Sequence, residues 1–411
     1  MCVWGFGCCG PPPWATIKAY DNTTPWALDW YHLKDVDLNR ESAVDYWPSA
    51  TPPSAVMAIG GGTGSTLEGA ILVRDTSDGS LHEESTSTPL TAVTPPASRV
   101  TLITDNSTTA WWTQREMTIQ GGQSFDNGEL TALAFDSSLV QQCLIETAAA
   151  AYTSAGRNGT DLILGHGGGL TGTVAERYDT TGTLTASFSS TSLSVTGGRT
   201  LANAKGFAQR SGTSMIIAGS ERSGSSFWRR YWRLGITGPP TPSFTLAAGV
   251  TGAAATFSGP VHQCDVGGGC RCTSTHLFYR WVSNEWVCVS LASLAELWTA
   301  TLTAGTDVFL AIDASNVYTV NISTKVLSAR AVATGTVAWT LDLTGSSVPS
   351  SASWGKILSG GFLAVMTPLS TVAIVNVSTG ALVTAIDVGA YDVVERDSRY
   401  IVVGPVRTTS S

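Results

Sequence analysis

The densest set of chemically able side chains is His262-Gln-Cys-Asp-Val-Gly-Gly-Gly-Cys-Arg-Cys-Thr-Ser-Thr-His276. Two histidines and three cysteines within fifteen residues are donors of the kind that hold zinc in a tetrahedral site. His262, Cys264, Cys270 and Cys272 are the candidate ligands, and the glycines at 267 to 269 would let the loop fold back around an ion. Against this, Cys-x-Cys is tight for one ion and no Cys-x-x-Cys occurs. A disulfide from Cys264 or Cys270 to Cys288 competes with the metal reading, and so do unpaired thiols. Beyond zinc, no cofactor is expected.

A second constellation is Phe227-Trp-Arg-Arg-Tyr-Trp-Arg233. On a strand, Phe227, Arg229, Tyr231 and Arg233 share one face, and Trp228, Arg230 and Trp232 share the other. Rings beside guanidinium groups can stack sugars or bases. The same pattern also suits an amphipathic strand whose arginine stems cover an aromatic surface. A third group, Cys2, Trp4, Phe6, Cys8, Cys9 and Trp14, forms an apolar arm over residues 1–14, with no charge before Lys18. Each buried aromatic side chain is worth about 1.5–3 kcal/mol, so the arm is expected to pack on a neighbouring protein.

No complete catalytic motif accompanies these groups. Gly165-His-Gly-Gly-Gly169 resembles an esterase oxyanion loop, but Gly-x-Ser-x-Gly is absent. Gly60-Gly-Gly-Thr-Gly64 lacks the Lys-Ser/Thr of a phosphate loop. Ser124-Phe-Asp-Asn-Gly128 only partly matches a sialidase Asp-box, and no acid/base pair stands out. Catalytic residues are therefore not expected.

The elements that must position these groups are hairpins. Thr371-Val-Ala-Ile-Val-Asn-Val-Ser-Thr-Gly-Ala-Leu-Val-Thr-Ala-Ile-Asp387 alternates, turns on Asn-Val-Ser-Thr-Gly and alternates again. Similar turns fall near Asn22, Ser77, Asn127, Thr181, Thr237, Ser293, Gly335 and Thr379, with gaps of 42 to 56 residues. The distance from the last turn round both chain ends to the first is 54 residues, which lies within that range. A sequence that closes on itself in this way predicts an all-β fold: one β-propeller over residues 15–411, its ring closed by both termini. Residues 15–32 should share a sheet with residues 392–404. Eight turns predict eight blades; seven follow if one of the weaker turns, near Asn127, Thr237 or Ser293, falls away. Val56–Gly60 and Met215–Gly219 are expected nearest the axis, where small residues fit.

Val317-Tyr-Thr-Val-Asn-Ile-Ser-Thr-Lys325, with Val337-Ala-Trp-Thr-Leu341 after it, and Val372-Ala-Ile-Val-Asn-Val-Ser-Thr-Gly380 resemble quinoprotein-like (PQQ-like) propeller repeats. The resemblance spans about residues 305 to 390. It implies a propeller and names no function. The tryptophans that such repeats carry regularly are irregular here.

Composition narrows the partners. The chain has 411 residues, a net charge of −8, 13% charged residues and 18 Arg against 5 Lys. A basic face for nucleic acid is excluded by that balance. No apolar run is long enough to span a membrane, so no insertion is expected. The start lacks the basic n-region and apolar h-region of a signal peptide. A Ser-, Thr- and Gly-rich surface without an export signal fits a virion component released by lysis. The expectation is a non-catalytic virion structural or recognition protein, such as a bacteriophage tail, tail-tip or capsid-associated propeller, by analogy. Its partners would be other structural proteins of an assembly and cell-surface glycan. The alternatives are a glycan-binding or glycan-cleaving propeller enzyme and a WD-repeat-like scaffold.

Overall fold

Alternating apolar runs reversed by short polar turns give hairpins, and the hairpins join into four-strand antiparallel meanders. The computed structural model describes backbone in strands from Trp14 to Pro405. Side chains are described mainly within residues 154–246 and 272–402; residues 1–13, 22–27, 36–41, 256–270 and 406–411 are among those outside the description.

Eight four-strand units follow one another along the chain, and we number them I to VIII. Unit I comprises Ser42–Trp47, Ser54–Gly61, Thr66–Asp75 and Leu81–Thr86. Unit II comprises Ala97–Ile103, Thr109–Gln120, Gln123–Asp136 and Gln141–Thr147. Unit III comprises Ala151–Asn158, Asp161–Gly167, Thr173–Tyr178 and Leu184–Ser189. Unit IV comprises Thr200–Ala208, Ser214–Ser223, Ser226–Thr237 and Ser243–Ala255. Unit V comprises Arg271–Cys272, His276–Val282, Glu285–Ser290 and Glu296–Thr301. Unit VI comprises Asp307–Ile312, Asn316–Asn321, Val326–Ala331 and Val337–Asp342. Unit VII comprises Trp354–Leu358, Phe362–Met366, Val372–Asn376 and Leu382–Ile386. Unit VIII joins Asp392–Arg396 and Arg399–Pro405 to Trp14–Asp21 and Leu28–Asp35. Units III and IV merge into one eight-stranded sheet through the partners Gly167 and Lys205.

The molecule is a β-propeller. The first strand of each unit meets the first strand of the next from I to V, from VI to VIII, and from VIII back to I. Units V and VI are joined by a cluster of Phe278, Trp286, Cys288, Phe309, Ile312 and Val317. The ring closes as expected: Ala15–Asp21 pairs antiparallel with Arg399–Pro405, Ile17 opposite Val403. The apolar core is not central. It is divided among the seams between neighbouring sheets, as where Met366, Val372 and Ile374 of unit VII meet Val393, Tyr400 and Val402 of unit VIII.

Three expectations need correction. Asn127 is not at an outer turn: it lies inside the strand Gln123–Asp136, at a register shift between Asp126 and Leu130. Unit II turns instead between Asp136 and Gln141. Val56–Gly60 and Met215–Gly219 are in second strands; the first strands, Ser42–Trp47 and Thr200–Ala208, run inside them. Trp14 opens a strand and is not part of the arm, whose Cys2, Trp4, Phe6, Cys8 and Cys9 lie outside the described residues.

The repeat resemblance also resolves. Asn321–Lys325 turns between the second and third strands of unit VI, whereas Asn376–Gly380 turns between the third and fourth of unit VII. Asn376 Oδ1 accepts from the Ser378 and Thr379 amides at 3.0 and 3.1 Å, and Gly380 closes the turn at φ +71°. Trp339 of unit VI lies over Gly380, where an added Cβ would come within 2.6 Å of the ring. Its Nε1 donates to Val377 O at 2.9 Å. Trp298 of unit V makes the same contact with Gly335 and Val332. In unit II, Cys143 takes the tryptophan's place against Gly182.

Candidate functional site

The aromatic and basic run occupies the third strand of unit IV, Ser226–Thr237, and its two faces divide as alternation predicts. Phe227, Arg229, Tyr231 and Arg233 face unit V. The Arg229 guanidinium donates from Nε and Nη2 to the Glu296 carboxylate at 2.6 and 2.8 Å. Its Nη1 is 3.1 Å from Glu285 Oε1, and Trp281 lies 5.8 Å away, within cation–π range. Tyr231 donates to Glu296 Oε1 at 2.9 Å and shares a 2.7 Å hydrogen bond with the Tyr279 hydroxyl. Burial raises the Arg229 desolvation cost, but the Glu296 hydrogen bond and charge outweigh it and hold the guanidinium charged. Burial, then the Tyr279 and Glu296 neighbours, pushes the Tyr231 phenol well up.

The other face meets unit III. Trp232 is fully buried, and its Nε1 donates to Ser194 O at 2.9 Å. Arg230 Nε lies 3.5 Å from buried Glu221, which also accepts from Arg199 at 3.2 Å and from the Thr196 amide at 2.9 Å. The Arg199 guanidinium covers the Trp228 ring at 3.8 Å. Phe227, Arg229, Tyr231 and Trp232 are thus buried against groups of this chain and offer no open face to a sugar or base. The strand fills two seams, so its aromatic surface is consumed by packing. Sequence reasoning missed Glu296, Glu285 and Tyr279; they lie 48 to 67 residues from their partners in the chain, and only the ring brings them together.

Arg233 differs. Its Nη2 donates to Ala292 O at 3.0 Å, and the rest of the guanidinium lines a cleft of about 410 Å³ between units IV and V. Gln209, Ser214, Thr275, His276, Ser290 and Leu291 are among the other lining residues. Burial holds the His276 imidazole below its ordinary value, and its Nδ1 is 2.9 Å from Thr275 Oγ1.

The glycine-flanked His166 is fully buried in the second strand of unit III. Its Nε2 lies 3.0 Å from Glu176 Oε2, which also accepts from the Tyr178 hydroxyl at 2.9 Å. Burial pushes Glu176 up, but His166 and Tyr178 outweigh it and hold the carboxyl below its usual range. Gly165 is not part of an oxyanion loop; an added Cβ there would come within 2.3 Å of Gly206 O, so glycine lets units III and IV approach closely.

His262, Cys264 and Cys270 lie outside the described residues. Cys272 is a free thiol packed on the apolar cluster between units IV and V, and burial pushes it up to about 12. Cys288 is a buried free thiol donating to Val332 O at 3.8 Å, and the bridge partners expected for it, Cys264 and Cys270, lie outside the described residues. Among the described residues no group of three or more His, Cys, Asp or Glu could hold a metal ion, and no helix is long and apolar enough to cross a membrane.

The fold is that of a β-propeller, and its similarities lie among propellers. The family described as outer membrane protein assembly factor BamB matches residues 212–404, a little under half of the chain. The computationally designed Ika8 protein is similar with a TM-score of 0.52 at 11% identity, covering 90% of this chain and 98% of its own. The C-terminal WD40 domain of Sif2 is similar with a TM-score of 0.51 at 11% identity, covering 90% and 97%. BamB from Moraxella catarrhalis aligns over 85% of this chain and 94% of its own at 15% identity, with a TM-score of 0.49. At these identities the likeness concerns fold alone. No curated protein matches the sequence.

Proposed function

We propose that the chain is a non-catalytic propeller, its eight units forming eight blades, that serves as a platform for other proteins. One observation carries this reading: in the two polar clusters best equipped for chemistry, Arg229–Glu296–Tyr231 and His166–Glu176–Tyr178, the Arg229, Tyr231, His166 and Tyr178 side chains are buried and both carboxylates are engaged by them. Groups committed to one another in this way support the ring. The matching family, by its description an assembly factor, adds support for a role in protein contacts. Within this class, the Lys-poor composition, with 13% charged residues, favours a virion component such as a phage tail protein, in contact with structural proteins or cell-surface glycan.

The reading is tested by cross-linking the tagged full chain in its native source, with mass spectrometry of the adducts and a parallel assay on chromogenic glycosides. The expected result is a reproducible stoichiometric protein partner and no turnover. Glycoside turnover that is abolished by Glu176→Gln in a folded protein would overturn it. A cross-link to virion proteins would place the chain in a particle; exclusive cross-links to cellular proteins would reject that setting.

A further inference from the structure

We infer that the cleft between units IV and V is a recognition site for a carboxylate side chain in an acidic segment of a partner protein. This rests on the platform reading above. Arg229 and Arg230 on the same strand face carboxylates, whereas Arg233 makes one hydrogen bond, to the Ala292 carbonyl. A guanidinium has five donors in a planar fork, so the Ala292 bond leaves donors of this lining residue for a ligand. Among the described residues the lining holds no carboxylate; it is Gln209, hydroxyls such as Ser214, Thr275 and Ser290, and the His276 ring. A concave, donor-rich patch with one cation stands out on a chain of net charge −8.

The charge count selects the ligand. Burial holds the His276 imidazole below its ordinary value, so among the described lining residues Arg233 is the cation. One fork matches a monovalent carboxylate bidentately, whereas a dianionic phosphate would be half compensated. Leu291 and Ala292 give the cleft an apolar wall suited to the methylenes of a glutamate. The cleft opens where the turns of units IV and V gather: Gln209 precedes the second strand of unit IV, Thr275 the second strand of unit V, and Leu291 follows its third. Such a position is reachable by a chain segment of another protein.

The test is fluorescence anisotropy of the full chain with a labelled Gly-Glu-Gly-Glu-Gly peptide, its Gln counterpart, and inorganic phosphate as competitor. The Glu peptide should bind at least about tenfold tighter than the Gln peptide and weaken with salt. Arg233→Gln should abolish that preference with the thermal midpoint unchanged, and Arg233→Lys should retain part of it. Equal binding of the two peptides, no binding of either, or a preference that survives Arg233→Gln overturns the inference. Displacement by phosphate at lower concentration than free glutamate peptide overturns the peptide assignment. None of these results touches the platform reading, which stands or falls on the cross-linked partner.

Discussion

The seam between units IV and V and the seam between units VI and VII join the same kind of sheet by different means. In the first, an apolar cluster that includes Phe207, Ile216, Leu277 and Val287 is joined by an ion-paired network: Arg229 reaches from one unit to Glu296 and Glu285 of the next, with Tyr231 and Tyr279 closing it. In the second, Leu310, Tyr318, Leu327 and Ala329 pack on Leu363, Val365, Ala373 and Val375, and Trp339 rests on Gly380. The apolar seam gains stability from area removed from water and tolerates small changes. The ion-paired seam gains little over an apolar replacement, yet breaking one half of it strands a charge. The difference shows that a propeller can vary the chemistry of its seams while keeping the geometry.

The largest expected effect breaks the polar seam. Glu296→Ala leaves Arg229 buried without its main partner and should cost about 3–5 kcal/mol in urea denaturation. Replacing both, Arg229→Met with Glu296→Leu, should recover most of that loss. A cost below about 1 kcal/mol for the single change would mean that water reaches the pair. The apolar seam should respond less. Trp339→Ala should cost about 2–3 kcal/mol, at the low end for an aromatic truncation because the ring is half-buried. Gly380→Ala should cost about 1–2 kcal/mol, since its φ is +71° and the new Cβ would press on Trp339. The two changes should be non-additive, because they damage one contact.

The smallest effect belongs to the seam between units II and III, where an apolar cluster lies beside the His166–Glu176 pair. Glu176 is held below its unfolded value, so its stabilisation is present above that value and is lost as pH falls through the folded one. Acid unfolding should therefore show a loss of stability that begins below about pH 5, and Glu176→Gln should flatten that limb by lowering stability at neutral pH towards its acid value. An unchanged acid limb in the variant would remove Glu176 from the account.

What could be read from sequence follows the same division. Hairpins, the circular spacing and the division of faces along Phe227–Arg233 were legible because each depends on alternation or on a local turn. Unit II was misplaced because Asn127 carries turn chemistry inside a strand irregularity, which alternation alone does not separate from a hairpin. The burial of Phe227, Arg229, Tyr231 and Trp232 was not legible for a non-local reason: partners such as Glu296 and Tyr279 arrive from another sheet. The cleft at Arg233 was invisible for the same reason, since it is made by turns of two units that only ring formation places together.

Closure of the ring by the two ends of the chain is best tested with paired cysteines. Ile17 and Val403 are direct partners, whereas Ile17 and Arg399 are four residues out of register. Under mild oxidation, Ile17→Cys with Val403→Cys should form a disulfide identified by peptide mass spectrometry, and Ile17→Cys with Arg399→Cys should not. Efficient bridging of the second pair, or of neither, would contradict a propeller closed by its termini.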